Sequence, residues 1–477
     1  MPPNLISALS KLKICDITAH SKKVSQDSAF FAINGTTLNG NDYIEAAIKN
    51  GAKLIVTDKA PSFKIITPFL VVPDAREALA KAARHLYPGR PQYMVAVTGT
   101  GGKTSVANYF WQICSFLSED AAVIGTMGVS CKDHALKNEL EECGKILTTP
   151  DVVTMHKMLN IMHKHKVEYL AFEASSHGLD QKRLLGIPVV AAALTNITHD
   201  HLDYHGTMEA YTNAKLKLFT ENLDPGGLAI ISTDLENFEE IKEFLLLHKR
   251  KYVTIGKKGD LDIRRINSTL AEQKIEFSYK GQIYNFETNI FGGFQASNML
   301  IAALLVEACG LSFEYIMHAL PKLQSPRGRL ERVTPPDHKF HIFVDYAHKP
   351  DALEKSLFEL NHLKKNRLLV VFGCGGDRDK EKRPMMGKIA SNIADLVIIT
   401  DDNPRTEDAE LIRAQVARGA EGAIEIADRE EAIKHAISKM KDGDILLIAG
   451  KGHETYQIIG EEKTPFDDAA VVRSYLD

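Results

Sequence analysis

The sequence is poor in features that assign a chain at sight. It holds no long apolar run: the longest apolar stretches are about strand length, against the ~18 apolar residues a membrane-crossing helix needs. Its start, Met1 to Ser7, has no basic cluster followed by an apolar stretch, so no secretory signal is expected. The cysteines are few and scattered, at Cys15, Cys114, Cys131, Cys143, Cys309 and Cys374, and none forms a CxxC pair. Free thiols in a reducing compartment are therefore expected, and with them a cytoplasmic setting. No charge of one sign is in large excess. Lys and Arg number 58 against 62 Asp and Glu, a net charge of −4, so no global basic charge advertises nucleic acid or an acidic membrane surface. There is no internal repeat and no low-complexity tract.

What remains is the profile of an ordinary globular protein, 44% hydrophobic and 25% charged over 477 residues. At ~150 residues per domain that length predicts about three domains. Short apolar runs alternate with helical patterns, which predicts α/β architecture. The runs are Met94–Val97, Tyr169–Phe172, Val189–Leu194, Leu228–Ile231, Leu368–Phe372, Leu396–Ile399 and Ile445–Ala449. Nearly all lead directly into a polar or glycine-rich cluster, and in open α/β sheets ligands bind just beyond the carboxyl ends of strands. Breaks at Tyr87-Pro88-Gly89-Arg90-Pro91 and at Ser325-Pro326-Arg327-Gly328-Arg329 predict divisions into 1–90, 91–325 and 326–477, with one helical segment from Ser297 to Leu320 ahead of the second break.

The strongest motif is Val95 to Ser105. An apolar strand runs into Thr98-Gly99-Thr100-Gly101-Gly102-Lys103-Thr104-Ser105 and then into a helical pattern from Val106 to Leu117. Glycines let backbone N–H groups approach phosphate oxygens, and the helix start adds its dipole. Lys103 can reach the β and γ phosphates, and the Thr104 hydroxyl can sit on Mg²⁺. The spacing departs from GxxxxGK[ST], because Val97 stands where that pattern has its first glycine.

Two further strand ends carry ionic groups. Glu173 closes the Tyr169–Phe172 run, and Thr195 to His205 follows the Val189–Leu194 run with three histidines, His199, His201 and His205. A carboxylate, a hydroxyl and waters suit Mg²⁺, and one imidazole can join them. Zinc is disfavoured, since no Cys lies nearby and no HExxH occurs. His199 and His205 read as residues of an exposed turn. In the helical segment Tyr211–Phe219, spacing alone puts both Lys215 and Lys217 on a solvated face.

Taken in order, Thr98–Thr104, Glu173–Gly178, Asp200–Gly206, Ala214-Lys215, Gly328–Glu331, Asp345–His348, Gly375–Asp379 with Lys382-Arg383-Pro384, Asp402–Arg405 and Gly450–Glu454 resemble the Mur ligases along essentially the whole chain. The resemblance implies a small N-terminal α/β domain for a UDP-sugar, a central domain built on a P-loop-type parallel sheet for ATP, and a C-terminal Rossmann-like α/β domain for an amino acid. It implies ATP-driven amide formation through an acyl phosphate, with meso-2,6-diaminopimelate joined to the D-glutamate of a UDP-N-acetylmuramoyl dipeptide, in a protein expected to act as a monomer. Carried over residue by residue, it puts Gly99, Thr100, Gly101, Gly102, Lys103, Thr104, Ser105, Asn298, Arg329 and Asp345 at ATP. Thr104, Glu173, His201 and Lys215 fall at Mg²⁺, Lys215 as a carbamate formed with CO2; Lys103, Lys215, Glu173 and His201 are then the catalytic set. Ser21, Thr148, Thr149, Ser175, Gln181 and Arg183 fall at the UDP-sugar dipeptide. Arg378, Asp402, Asn403, Pro404, Arg405, Gly450 and Glu454 fall at diaminopimelate.

The chain departs from the family at Gly101 and Gln295, where Asn is usual, at Lys349, where Thr is usual, and at His20-Ser21-Lys22, where Asp-Ser-Arg is usual. Lys22 cannot make the two-pronged fork of an arginine. The rival readings are a lysine-adding sister ligase, a folylpolyglutamate-forming ligase, a P-loop kinase and a nucleotide-binding switch without turnover.

Overall fold

A computed structural model describes residues 5–35, 38–61, 63–117, 120–144 and 147–476. Residues 1–4, part of the segment read above for a secretory signal, lie outside them. The chain divides into two compact units, 1–253 with 304–311, and 254–303 with 312–477.

The first unit carries two parallel arrays. Asp16–Thr18, Ser28–Ala32, Leu54–Thr57 and Phe69–Val71 form a four-stranded parallel sheet in chain order. In the other array, Tyr93–Thr98 lies between Tyr169–Glu173 and Val189–Leu194, in parallel with both. Leu223–Ser232 extends one side in parallel. Ala121–Gly125 extends the other in parallel, followed by Gly128–Cys131 as an antiparallel edge. The central strands are buried along nearly their full length, as expected where helices cover both faces. Register aligns their carboxyl ends: Val97 pairs with Glu173 and with Ala193. The glycine loop, Glu173 and the Thr195–His205 segment therefore leave the sheet at one rim.

The second unit holds an antiparallel meander, Leu261–Ser268, Gln273–Tyr279 and Gln282–Thr288, and a six-stranded sheet. The order there is Glu331–Arg332, His341–Asp345, Ile445–Ala449, Leu368–Phe372, Leu396–Ile399, Ile424–Glu425, parallel except for the first. Asp345 pairs with Ala449 and Phe372 with Ile399, so the segments beginning at Tyr346, Gly373, Thr400 and Gly450 share a rim. A hairpin of Tyr456–Ile459 and Glu462–Pro465 follows.

Each run read as a strand is one. Two helical expectations shift. The helix after the glycine loop starts at Lys103, not Val106, because Gly102 takes φ +81 and turns the chain directly into it; Lys103, Thr104 and Ser105 become its first turn. The segment read as one helix from Ser297 to Leu320 is two, Gly293–Ala308 and Phe313–Ala319. Gly310, at φ +96, breaks it, as glycine does at a helix end. Among the described residues no helix is long and apolar enough to cross a membrane.

Candidate functional site

The glycine loop is stapled to the neighbouring strand end. Thr100 N donates to Asn196 O, and Gly101 N donates to Asn196 Oδ1 at 2.8 Å. Thr195 Oγ1 donates to Gly101 O at 2.6 Å. Thr100 Oγ1 meets both the backbone of Thr198 and the Tyr211 hydroxyl, the latter at 3.0 Å. Gly99 sits at φ +147, and a Cβ there would stand 1.9 Å from Thr195 Oγ1, so only glycine fits. Lys103 Nζ donates back to Gly99 O at 2.6 Å and to Thr100 O at 3.1 Å. The ammonium thus lies over the loop that a triphosphate would occupy. Asn196, which sequence reasoning did not single out, supplies a side-chain amide beside Gly101, the position where the resemblance expected one.

Glu173 is 2% exposed. Its Oε1 accepts from Thr126 N at 2.8 Å and its Oε2 from the Thr126 hydroxyl at 3.0 Å. Gly125 leaves it room: a Cβ there would lie 2.1 Å from Oε1. Thr104 and Glu173 line one cavity together with Asn108, Gly125 and Ser130. A hydroxyl and a carboxylate are hard oxygen donors of the kind Mg²⁺ prefers. Among the described residues no three His, Cys, Asp or Glu are arranged to hold a metal by themselves; Mg²⁺ usually keeps several waters and takes phosphate oxygens beside one or two carboxylates.

Lys215 and Lys217 separate sharply, against the solvated-face reading of both. Lys215 is 1% exposed, with Nζ 4.3 Å from the centre of the Tyr211 ring. Lys217 stays part-exposed and pairs with Asp180 at 2.7 Å. The helix Met208–Lys217 turns one lysine inward and the other out. His201 has φ +53, and its Nε2 lies 3.2 Å from Asp200 Oδ2; its ring is 4.7 Å from that of His177. His199 is exposed, as read. His205 is not a simple turn residue. Its ring packs against His177 and Tyr211, and burial lowers its pKa.

Thr148, Thr149, Ser175, Gln181 and Arg183 form one network joined to Glu173. Thr149 Oγ1 donates to Glu173 O at 2.8 Å and lies 3.0 Å from Ser175 Oγ. Arg183 donates to Thr149 O at 2.9 Å and to Gln181 Oε1 at 2.7 Å. The Thr148 hydroxyl is 3.1 Å from that of Thr126. Ser21 is placed elsewhere, in the short helix Ser21–Lys23 whose Ser21 carbonyl accepts from Asn50.

In the second unit Gln295 links two of the nucleotide candidates. It accepts from Asn298 Nδ2 at 3.1 Å and donates to Arg329 O at 3.1 Å. The Arg329 guanidinium lies 4.6 Å from the Tyr346 ring centre. Asp345 accepts from Leu330 N at 2.6 Å and from Ala347 N at 2.7 Å. Burial pushes its carboxyl up to about 6, against the opposing pull of Arg329 and these amides.

The Asp402–Arg405 segment is held in the rim by burial and by side-chain hydrogen bonds. Asp402 and Asn403 are 7% and 3% exposed. Asn403 Nδ2 donates to Glu454 Oε2 at 2.9 Å, and Asn403 Oδ1 accepts from Lys451 Nζ at 2.9 Å and from Ile458 N at 3.0 Å. Lys451, not selected from the sequence, is fully buried and also stands 3.2 Å from Asp402. Burial raises the pKa of Glu454 and lowers that of Lys451. Arg405 lies at φ +51, donating from Nη1 to Gly376 O at 2.7 Å. Gly376 must be glycine: a Cβ there would lie 1.9 Å from Pro404 O. Gly450, at φ +113, opens the turn beside Asp402. Arg378 stands outside this group, exposed, donating to Asp377 O. Two carboxylates facing one buried ammonium, with a guanidinium alongside, suit a zwitterionic ligand.

The Mur ligase family catalytic domain matches residues 13–94, the Mur ligase middle domain residues 97–306, and the Mur ligase glutamate ligase domain residues 328–452. The chain is 48% identical over 480 residues to the UDP-N-acetylmuramoyl-L-alanyl-D-glutamate--2,6-diaminopimelate ligase of Rickettsia montanensis, covering 99% of this chain and 98% of the relative. It is 43% identical to the ligase of the same name from Agrobacterium fabrum, covering 99% and 95%. A solved structure of a ligase of that name superimposes with a TM-score of 0.71 at 33% identity, covering 97% of this chain and 95% of the other. A folylpolyglutamate synthase of Mycobacterium tuberculosis complexed with ADP shares the fold, with a TM-score of 0.65 over 78% of this chain at 20% identity. Similarity along its whole length, with the motifs gathered at two sheet rims, means that the chain belongs to the Mur ligase family.

Proposed function

We infer that this chain is an ATP-dependent amide ligase that adds meso-2,6-diaminopimelate to the D-glutamate γ-carboxylate of UDP-N-acetylmuramoyl-L-alanyl-D-glutamate, a cytoplasmic step of peptidoglycan synthesis. The observation that carries this reading is the assembly of buried Asp402 and Asn403 with half-buried Glu454 beside Arg405, in a chain 43–48% identical to relatives that bear that activity in their names.

The reaction begins with attack of the γ-carboxylate on the γ-phosphate of ATP, giving an acyl phosphate and ADP. The amine of diaminopimelate then attacks the acyl carbon, the amide forms, and phosphate leaves. Carboxylate and triphosphate repel, so the protein's work is positioning and charge neutralisation. Lys103 and the loop amides bind the phosphates; Asn298, Arg329 and Asp345 hold the rest of the nucleotide. Thr104, Glu173 and His201 would hold Mg²⁺, which supplies neutralisation of the phosphate charge. Lys215, the inward lysine of its helix, would add an anionic oxygen as a carbamate. Ser21, Thr148, Thr149, Ser175, Gln181 and Arg183 hold the UDP-sugar dipeptide, with residues 1–90 as its domain, 91–325 for ATP and 326–477 for the amino acid.

Selectivity rests on one carboxylate, since diaminopimelate is lysine with an added carboxylate at its far end. Arg405 pairs that group, with Arg378 at the edge of the site, and the Asp402–Glu454 pair, one carboxylate of which Lys451 offsets, takes the neighbouring ammonium. A charge-assisted bond contributes ~1.5–3 kcal/mol, and a site left with unpaired polar groups rejects the lesser substrate by ~10⁴–10⁵. The test supplies the UDP-sugar dipeptide, ATP, Mg²⁺ and either diaminopimelate or lysine, and weighs the product. Label placed as ¹⁸O in the glutamyl carboxylate should appear in the released phosphate. Efficient lysine addition would transfer the assignment to the sister ligase; a stable phosphorylated product without amide would make the chain a kinase.

A further inference from the structure

Lys451 is fully buried, yet it lies inside the strand-end turn Gly450 to Glu454, where a lysine usually reaches water. Its ammonium has four oxygens around it: Asn403 Oδ1 and Tyr456 O at 2.9 Å each, Asp402 Oδ1 at 3.2 Å, and Glu454 Oε2 at 4.0 Å. These partners come from three segments: the Asp402–Arg405 turn, the hairpin whose first strand is Tyr456–Ile459, and, for Glu454, the turn that carries Lys451 itself.

The hairpin grips the turn at four further points. Ile458 N donates to Asn403 Oδ1 at 3.0 Å, Gln457 Nε2 donates to Asp402 O at 2.7 Å, Arg405 N donates to Ile458 O, and Gly460 N donates to Arg405 O. A carboxamide can turn over, exchanging its oxygen for its NH₂. Two donors, the Lys451 ammonium and the Ile458 amide, both point at one end of Asn403. That end must be oxygen. The NH₂ end is then forced toward Glu454, which accepts from it at 2.9 Å.

We propose that Lys451 is a positioning residue for the amino-acid end of the reaction: together with the hairpin it locks the Asn403 carboxamide in one orientation and holds Asp402, Glu454 and Arg405 in the arrangement that receives a zwitterionic amino acid. This deepens the functional reading above and rests on it. Lys451 offsets one of the two nearby carboxylates and leaves the other to meet the ligand's ammonium. With Lys451 gone, Asn403 keeps only the Ile458 amide to fix its oxygen end, and the carboxylates of buried Asp402 and half-buried Glu454 face each other without a cation between them.

The experiment measures KM separately for diaminopimelate, ATP and the UDP-sugar dipeptide in Lys451→Met, beside its thermal stability. The expected result is a rise of tenfold or more in KM for diaminopimelate, with the other two constants within about twofold of the unaltered protein. A role in folding alone lowers the active fraction, and with it the apparent kcat, while leaving every KM in place, so an unchanged KM for diaminopimelate overturns the proposal. Should Lys451→Met not fold, Gln457→Ala decides. It removes the grip on Asp402 without burying a charge, and a selective rise in the same constant supports the proposal while three unchanged constants refute it. If the unaltered protein does not ligate diaminopimelate at all, the functional reading fails first, and this inference with it.

Discussion

In the role proposed for it, Lys103 sets one fixed positive charge where phosphate charge develops, and removing its ammonium takes that charge away. Loss of a single such donor typically costs ~10²–10³ in rate. Lys103→Ala is expected to lower kcat by that amount while leaving the affinity for the UDP-sugar dipeptide within about threefold, because Thr149, Ser175 and Arg183 hold one another without it. Equal losses in both quantities would contradict the role. Asp345 yields a second expectation at this scale. Its carboxyl is raised from 3.8 to about 6 by burial, so the folded state keeps a proton that the unfolded state releases. The resulting stability is complete below pH 3.8 and is lost as pH rises through about 6. Asp345→Asn should therefore flatten the pH dependence of stability between those values, removing a slope worth up to ~3 kcal/mol, measured by urea unfolding at both ends of the range. Such effects are hard to read in a sequence. Lys215 and Lys217 look alike there, and only the fold turns one inward and pairs the other with Asp180. Thr126 and Lys451 give no local signal for the same reason: the partners that matter, Glu173 and Asn403, are 47 and 48 residues away.

Strands, by contrast, announce themselves. A buried parallel strand needs a continuous apolar run, and the glycine-rich turn after it is a local signal, so the loop at 98–105 was legible from sequence. Its helix starts three residues before the apolar pattern does, because Gly102's left-handed turn carries no apolar signature. The same blindness merged two helices across Gly310. Asn196, which caps Gly101, belongs to another strand end and could be found only once the strands were paired. The turn at Gly375-Gly376 is tested as an element: Gly376→Ala would drive a methyl group into Pro404 O and displace the segment carrying Arg405. A shift of about 1 Å can cost ~10² in rate. The expected signature is a KM for diaminopimelate raised at least tenfold, with the KM for ATP little changed; movement of both together would locate the damage elsewhere.

At the scale of the molecule, the residues assigned to the amino acid, from Arg378 to Glu454, all lie within the second unit, whereas the dipeptide network lies within the first. Ligand binding stabilises only what it binds, by ~2.7 kcal/mol at a hundred times Kd. Native-state hydrogen exchange should therefore slow on adding diaminopimelate around Asp402–Arg405 and Gly450–Glu454, with little change around Thr149, Ser175 and Arg183. Equal slowing at both places, or at neither, would contradict that placement. The α/β class and the order of motifs were open to sequence reasoning because they depend on alternation along the chain. Two of the three cuts between the compact units fall inside the strand Lys251–Gly256 and within the helix Gly293–Ala308; those two are not legible, because no turn-forming cluster marks a cut made through regular structure.

Arg405 carries its guanidinium on a backbone at φ +51, a region that Asn, Asp and Gly enter readily and that β-branched residues avoid. A drift of this position toward Val, Ile or Thr would thus forfeit the turn as well as the charge. The spectrum of neutral change here is narrower than chemistry at the guanidinium implies, and any natural retuning of partner choice should arise first among its neighbours.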